Sequence, residues 1–165
     1  MLKLNLGGGK QKKEGYINID IVTLPSVDIV HDLNNGIPFE DDTVDEVYSQ
    51  HFLEHLPDTV KIMEEIYRVC KKDALVRIKV PYFKSIGAFK DPTHVSFFTE
   101  RTFEYFDPTK IGELPEYNIK ANFRTLKLTY IWSNKLIRFI PFKRFLLKYL
   151  WNIARTMYVE LRVIK

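Results

Sequence analysis

An apolar run from Leu2 to Leu6 passes straight into Gly7-Gly8-Gly9, and the next apolar run, Tyr16 to Asp20 (YINID), ends on an acid. Nine residues, Gly7 to Gly15, join them. If both runs are parallel strands, that link is short, because a helical crossover usually needs a dozen or more residues. The first crossover is therefore expected to be a loop or a single turn, with Lys10, Lys12 and Lys13 exposed beside a pocket. Open parallel sheets bind ligands outside the C-terminal ends of their strands, near the topological switch point. Glycine lets a backbone approach a ligand closely there. Asp20, at the end of the second strand, can accept hydrogen bonds from two ribose hydroxyls. The pair describes a nucleoside pocket. A dinucleotide fingerprint fits poorly, since Lys12 stands where a third glycine belongs and the acid should follow about 20 residues on. A Walker loop fails because Lys10 lacks the spacing and the Ser/Thr partner. A tight turn with a helix-capping acid is the plainer alternative.

Further along, strands and helices alternate. Val27–His31 reads as a third strand, Asn35-Gly36-Ile37-Pro38 as a turn and Val44–Ser49 as a fourth strand. Pro57-Asp58 opens a helix in which Ile62, Met63, Ile66, Val69 and Cys70 recur at spacings of three and four. Ala74–Val80 is a fifth strand, halted by Pro81. Thr99–Phe106 reads as a short helix capped by Thr99. Phe123–Trp132 alternates and is a sixth strand, Lys135–Arg155 a long basic helix bent at Pro141, and Met157–Ile164 a last strand. This order argues an α/β sheet of largely parallel strands, with an antiparallel pair at one edge.

The 165 residues suit one domain, and 45% hydrophobic with 28% charged residues suit a globular one. A single cysteine, Cys70, excludes an internal disulfide framework. Without a leader pattern or an apolar run near the ~20 residues of a membrane span, a cytoplasmic protein is expected. Charge is divided: residues 1–115 carry 14 Lys/Arg and 19 Asp/Glu, residues 116–165 carry 11 and 2. The C-terminal part is suited to an anionic partner, or is a solvated basic helix face.

Residues 31–56, HDLNNGIPFEDDTVDEVYSQHFLEHL, resemble the class I S-adenosylmethionine-dependent methyltransferases, in which D-L, L-P-F, D-x-x-F-D and H-x-L-E-H-L follow in that order. EIYRVCKKDALVRIKVP (65–81) is similar to the family's helix and following strand. DPTHVSFFTERTF (91–103) is similar to a segment of a small branch linked to glycan biosynthesis. The resemblance spans roughly residues 2–107. It implies a Rossmann-like, mostly parallel seven-stranded sheet flanked by helices, its last strand antiparallel. It implies S-adenosylmethionine as cofactor, with S-adenosylhomocysteine as product. Leu6, Gly7, Gly8 and Gly9 would pass the methionine part, and Asp20 with Ile21 would hold the ribose. Asp32 and Leu33 would flank the adenine, and Gln50 and His51 would line the mouth where the methyl points. Asn5 departs from the pattern, where an acid usually stands near the cofactor's amino group. Lys72-Asp73-Ala74 departs from Pro-Gly-Gly.

Methyl transfer from a sulfonium needs a well-placed acceptor and, for oxygen or amine, a base. His51 and His94 are the candidates, His51 at the end of the fourth strand and His94 on the loop after the fifth; each can equally order its loop. His55 with Glu54 suits capping and packing, and His31 a strand end. His51, Glu54 and His55 share a turn that His94 could close into a four-ligand divalent site. The same motif serves without metal in other family members, so the metal stays open. Residues 134–156, basic and aromatic, suit a lid, an anionic membrane surface that presents a lipid-linked glycan, or an ordinary packed helix; nucleic acid fits less well. The expected activity is methylation of a small-molecule or glycan-precursor acceptor, at oxygen by weak preference. The alternatives are a cofactor-binding protein that needs a partner, and an RNA methyltransferase.

Overall fold

The structure, a computed structural model, describes residues 1–111 and 119–165. Seven strands form one sheet: β1 (Lys3–Leu6), β2 (Ile17–Asp20), β3 (Ile29–Val30), β4 (Val44–Gln50), β5 (Cys70–Pro81), β6 (Phe123–Trp132) and β7 (Ala154–Val163). Their order is β3-β2-β1-β4-β5-β7-β6. The first five pair in parallel, and β7 lies antiparallel between β5 and β6. The helices are α1 (Thr59–Val69), α2 (Ile86–Phe89), α3 (Pro108–Ile111) and α4 (Lys143–Tyr149).

Helix α1 forms where the three-and-four spacing places it. Asp58 caps it, accepting from Lys61 N at 2.9 Å, and Ile62, Met63, Ile66 and Val69 are buried. It packs on the sheet face that carries Leu4, Leu6, Ile19, Val47, Val76, Ile78, Val159 and Leu161, all buried.

The other face is different, and topology says why. Connections between parallel strands are right-handed, so reversing the direction of strand addition moves them to the opposite face. The β4-to-β5 crossover, α1, covers one face. The β1-to-β2 and β2-to-β3 links must run over the other, and they are too short to hold a helix. Among the described residues none covers that open face with a helix. Instead Glu46 takes Lys3 at 3.3 Å, Arg77 and the Tyr16 hydroxyl, while Arg77 Nε also meets Glu160 at 3.1 Å. Lys13 and Lys79 cap the Tyr48 ring at 4.9 and 5.5 Å. Burial and its bond to Glu160 push the Tyr158 hydroxyl up to about 12.

The expected reduced crossover is present as turns. Two of its lysines turn to other partners. Lys12 pairs with Asp28 at 2.5 Å, and Lys13 sits over the tyrosines of the open face. Four expected elements change. The third strand shrinks to Ile29–Val30, because Asp28 instead accepts from Asn18 N at 2.9 Å. The segment Thr99–Phe106 becomes a 3-10 turn over Thr102–Phe106. The long basic helix is broken: a 3-10 turn at Lys135–Phe139, then Pro141, then Phe142 at φ +61, then α4. Proline withholds the amide a continuous helix needs. The last strand starts at Ala154, because pairing with β5 and β6 claims residues that helical periodicity would have assigned to the helix.

Candidate active site

Two cavities open at the C-terminal ends of the parallel strands. The first, of about 360 Å³, is lined by Gly7, Asp20, Ile21, His31, Asp32, Leu33, Asn34, His51, Phe52, His55 and Leu56. At Gly7 (φ +63) a Cβ would overlap the Phe52 ring, so only glycine lets the loop turn there. Asp20 accepts from Gly9 N at 2.8 Å through Oδ2 and from Val22 N at 3.2 Å through Oδ1. Each carboxylate oxygen keeps a further lone pair for a ligand hydroxyl. Asp32 Oδ1 accepts from Asn34 N at 3.0 Å and caps the turn Leu33–Asn35. A strand-end carboxylate with lone pairs to spare, a second carboxylate and apolar walls from Ile21, Leu33, Phe52 and Leu56 fit a nucleoside bearing an amino acid.

Of the residues expected at the cofactor, Gly7, Asp20, Ile21, Asp32, Leu33 and His51 come together around this cavity. Leu6 lies wholly in the core. Gly8 packs on the Asn5 and Asn18 amides, and Gly9 serves through its backbone. Gln50 turns to the open face, where it bonds Tyr48, Gln11 and Lys79. Asn5 is buried on that same side. Its Nδ2 donates to Gln11 O at 3.0 Å and to Asn18 Oδ1 at 2.8 Å. Asn18 Nδ2 in turn donates to Gly9 O and Ser26 O. This amide ladder latches the glycine loop in place of the missing helix. The pair of buried asparagines at like positions of β1 and β2 was the signal available in the sequence.

The second cavity, of about 490 Å³, shares His51 and His55 with the first. Glu54, Ser85, Lys90, Asp91, His94, Ser133, Asn152, Arg155 and Thr156 also line it. Sequence reasoning missed Lys90, Arg155 and the residues around them. They converge through Asn152, whose Oδ1 accepts from Ile86 N at 2.7 Å and whose backbone N–H donates to Lys84 O. His51 follows β4 at φ +53, a backbone state uncommon outside glycine, and lines the cleft. Its Nδ1 lies 3.1 Å from Glu54 Oε1. An ionised carboxylate only accepts, so Nδ1 carries the hydrogen and Nε2 is the basic nitrogen. His94 Nδ1 meets Ala88 O at 2.9 Å, which leaves its Nε2 toward the cavity side.

Residues 9–78 match the family of the methyltransferase domain. No curated protein matches the chain. Among solved structures, a SAM-dependent methyltransferase from Archaeoglobus fulgidus matches with a TM-score of 0.68 and 20% identity, over 97% of this chain and 85% of that one. One from Aquifex aeolicus matches at 0.58 and 17%, over 99% and 82%. The complex of the Haloferax volcanii Trm112 methyltransferase activator and its methyltransferase matches at 0.62 and 14%, over 99% and 83%. These likenesses establish the Rossmann-like methyltransferase fold. The match over residues 9–78 and the shared fold support S-adenosylmethionine-dependent methyl transfer, with S-adenosylmethionine as the cofactor.

Proposed function

We propose that the chain is an S-adenosylmethionine-dependent methyltransferase that acts on a hydroxyl of a small, polar, anionic acceptor such as a glycan precursor. One observation carries the reading: His51 stands in the wall between two cavities, one suited to the cofactor and one lined by hydroxyls, an amide and two cations. The cofactor supplies a methyl group on a sulfonium, a leaving group that needs no further activation. The chain's own residues then have two tasks. Lys90 and Arg155 attract the acceptor's charge, and Ser85, Ser133 and Asn152 offer hydrogen bonds to its hydroxyls. His51 Nε2 takes the acceptor's proton, with Glu54 fixing the ring. A histidine is suited to this because it titrates near neutral pH.

The test joins calorimetry with S-adenosylhomocysteine to mass spectrometry of a panel of sugars and nucleotide sugars incubated with S-adenosylmethionine. A product heavier by one methylene and labile to ether cleavage is expected. Methylation confined to amine acceptors or RNA would defeat the oxygen reading. Binding without turnover would instead favour dependence on a partner, a reading the structural neighbour bound to an activator supports.

The excursion between β6 and β7 supports one addition, contact with an anionic bilayer that presents the acceptor. Phe139 and Phe142 are 77% and 83% exposed beside Lys135, Lys143 and Lys148, with Phe145, Tyr149 and Trp151 also exposed. No described helix is long and apolar enough to cross a membrane. Co-sedimentation with anionic vesicles at low and high salt tests this; absence of binding at low salt argues against it.

A further inference from the structure

Glu54 poses a problem that the proton-transfer scheme leaves open. Its side chain is almost wholly buried, yet after Oε1 meets His51, its Oε2 has no hydrogen-bond partner. A buried carboxylate oxygen without a partner is costly unless a cation or donor occupies the space beside it. Beside His51, the neighbours of Glu54 at the cavity include two further imidazoles, His55 and His94, and both are arranged to offer lone pairs. His94 Nδ1 faces the Ala88 carbonyl, an acceptor, so Nδ1 bears the hydrogen and Nε2 is bare in the neutral ring. For His55 the inference takes one more step. The Thr93 hydroxyl gives its single hydrogen to Asp91 Oδ1 at 2.7 Å, so at 2.9 Å from His55 Nδ1 it can only accept. His55 Nδ1 therefore also bears the hydrogen, and its Nε2 is bare.

Histidines whose second nitrogen donates to a carbonyl or an oxygen partner are the ones that ligate metals. A carboxylate oxygen of Glu54 and one ring nitrogen each of His55 and His94 lie within 4.8 Å of one another. Asp91 Oδ2, 3.9 Å from His94 Nε2, adds negative charge beside them. We propose that Glu54, His55 and His94 bind a divalent first-row transition ion, which holds the acceptor hydroxyl where the two cavities meet. Two imidazoles and one carboxylate favour Mn²⁺, Fe²⁺, Co²⁺ or Zn²⁺ over Mg²⁺ and Ca²⁺, and they leave coordination positions for the acceptor. His51 is then a positioning and proton-accepting neighbour rather than a ligand.

The inference rests on the oxygen-acceptor reading for its chemistry, and the step balances. The metal-bound hydroxyl loses its proton to His51 Nε2 and thence to solvent. Its oxygen forms a bond to the methyl carbon, and the pair of the broken C–S bond returns to sulfur. The metal lowers the cost of the first of these events.

Untagged full-length protein is stripped with chelator, dialysed, and titrated with Co²⁺ followed by visible absorption and with Mn²⁺ followed by paramagnetic resonance. About one equivalent of uptake with ligand-field bands is expected. Affinity should fall at least tenfold in Glu54→Gln, His94→Gln and His55→Gln. If Glu54→Gln does not fold, the exposed His55→Gln, checked by its melting curve, carries the test. No uptake, or uptake unchanged in His55→Gln and His94→Gln, overturns the site. Calorimetry with S-adenosylhomocysteine on the stripped protein separates the two claims. Cofactor-product binding without metal uptake overturns the site alone. Metal uptake without such binding upholds the site and overturns the cofactor reading.

Discussion

The two cavities share a wall but are built in opposite ways. The first is made by residues 7–56, close in sequence, at the tips of β1, β2 and β4 and the loops beside them. Backbone amides and the Asn5–Asn18 ladder hold it. The second joins the loop after β5 to the far end of the excursion before β7, residues more than forty positions apart that meet through Asn152. On the proposed reading, the first half would hold the cofactor, a fixed molecule, in a preformed backbone cradle. The second half, where the acceptor would sit, is a surface that side chains from distant loops complete, and such loops let one fold serve different acceptors.

Substitutions should separate the halves. The largest effect is expected at their common wall: His51→Gln should lower turnover about 10²- to 10⁴-fold while S-adenosylhomocysteine affinity changes little, measured by steady-state kinetics beside calorimetry. Comparable losses in both quantities would mean the halves are not separable there. Asp20→Ala belongs to the cofactor half alone and should weaken S-adenosylhomocysteine about 10- to 100-fold, ~1.4–2.8 kcal/mol. Asn18→Leu removes the bonds that Asn18 makes to the Asn5 amide and to the Gly9 and Ser26 carbonyls. It should cost about 1–3 kcal/mol in urea unfolding and slacken cofactor binding without touching the acceptor. Lys90→Ala and Arg155→Ala, on the exposed rim, should raise KM for an anionic acceptor a few-fold and leave kcat near its original value.

The smallest effect is a dependence on acid. The Arg68 guanidinium beside Glu65 holds its carboxyl below the usual range. Burial pushes Asp107 up, but bonds from Thr109 and Thr125 outweigh it and leave it lowered. A carboxyl lowered on folding stabilises the protein above its unfolded pKa, and that contribution is lost as pH falls through the folded value. Glu65 anchors the chain before β4 to α1, and Asp107 anchors the turn before α3 to β6. Urea midpoints should therefore fall below about pH 4, and Glu65→Gln or Asp107→Asn should each flatten that fall. An acid limb unchanged in both variants would sever these clamps from the stability of either half.

What could be read from the sequence follows the same division. The alternation of Phe123–Trp132 gave β6 to the residue, and Asp58 with its three-and-four spacing gave α1, because both signals are local. The glycine loop and Asp20 were legible since a tight turn and a strand-end acid are also local. Gln50 was misplaced because a strand's period of two decides its face, and position in the family motif does not. Arg155 and Asn152 could not be seen as lining residues, because the sequence showed them inside a helix. Pairing across the sheet claimed Arg155 for β7, and Asn152 took a left-handed turn at φ +59. The buried state of Glu54 was likewise invisible, since it depends on how the loop carrying His94 folds over it.

The place of β7 has a consequence for how such a chain is made. Though last in sequence, it is an inner strand, the seam between β5 and β6. A growing chain holds β5 with one side unpaired, and β6 with no neighbour at all, until residue 163 has emerged. Through that interval the sheet is an incomplete, sticky intermediate, as expected for slow non-local pairing. A nick in the excursion after β6 could leave two fragments that still associate, whereas trimming back into Ala154–Val163 would remove the seam and scatter the sheet.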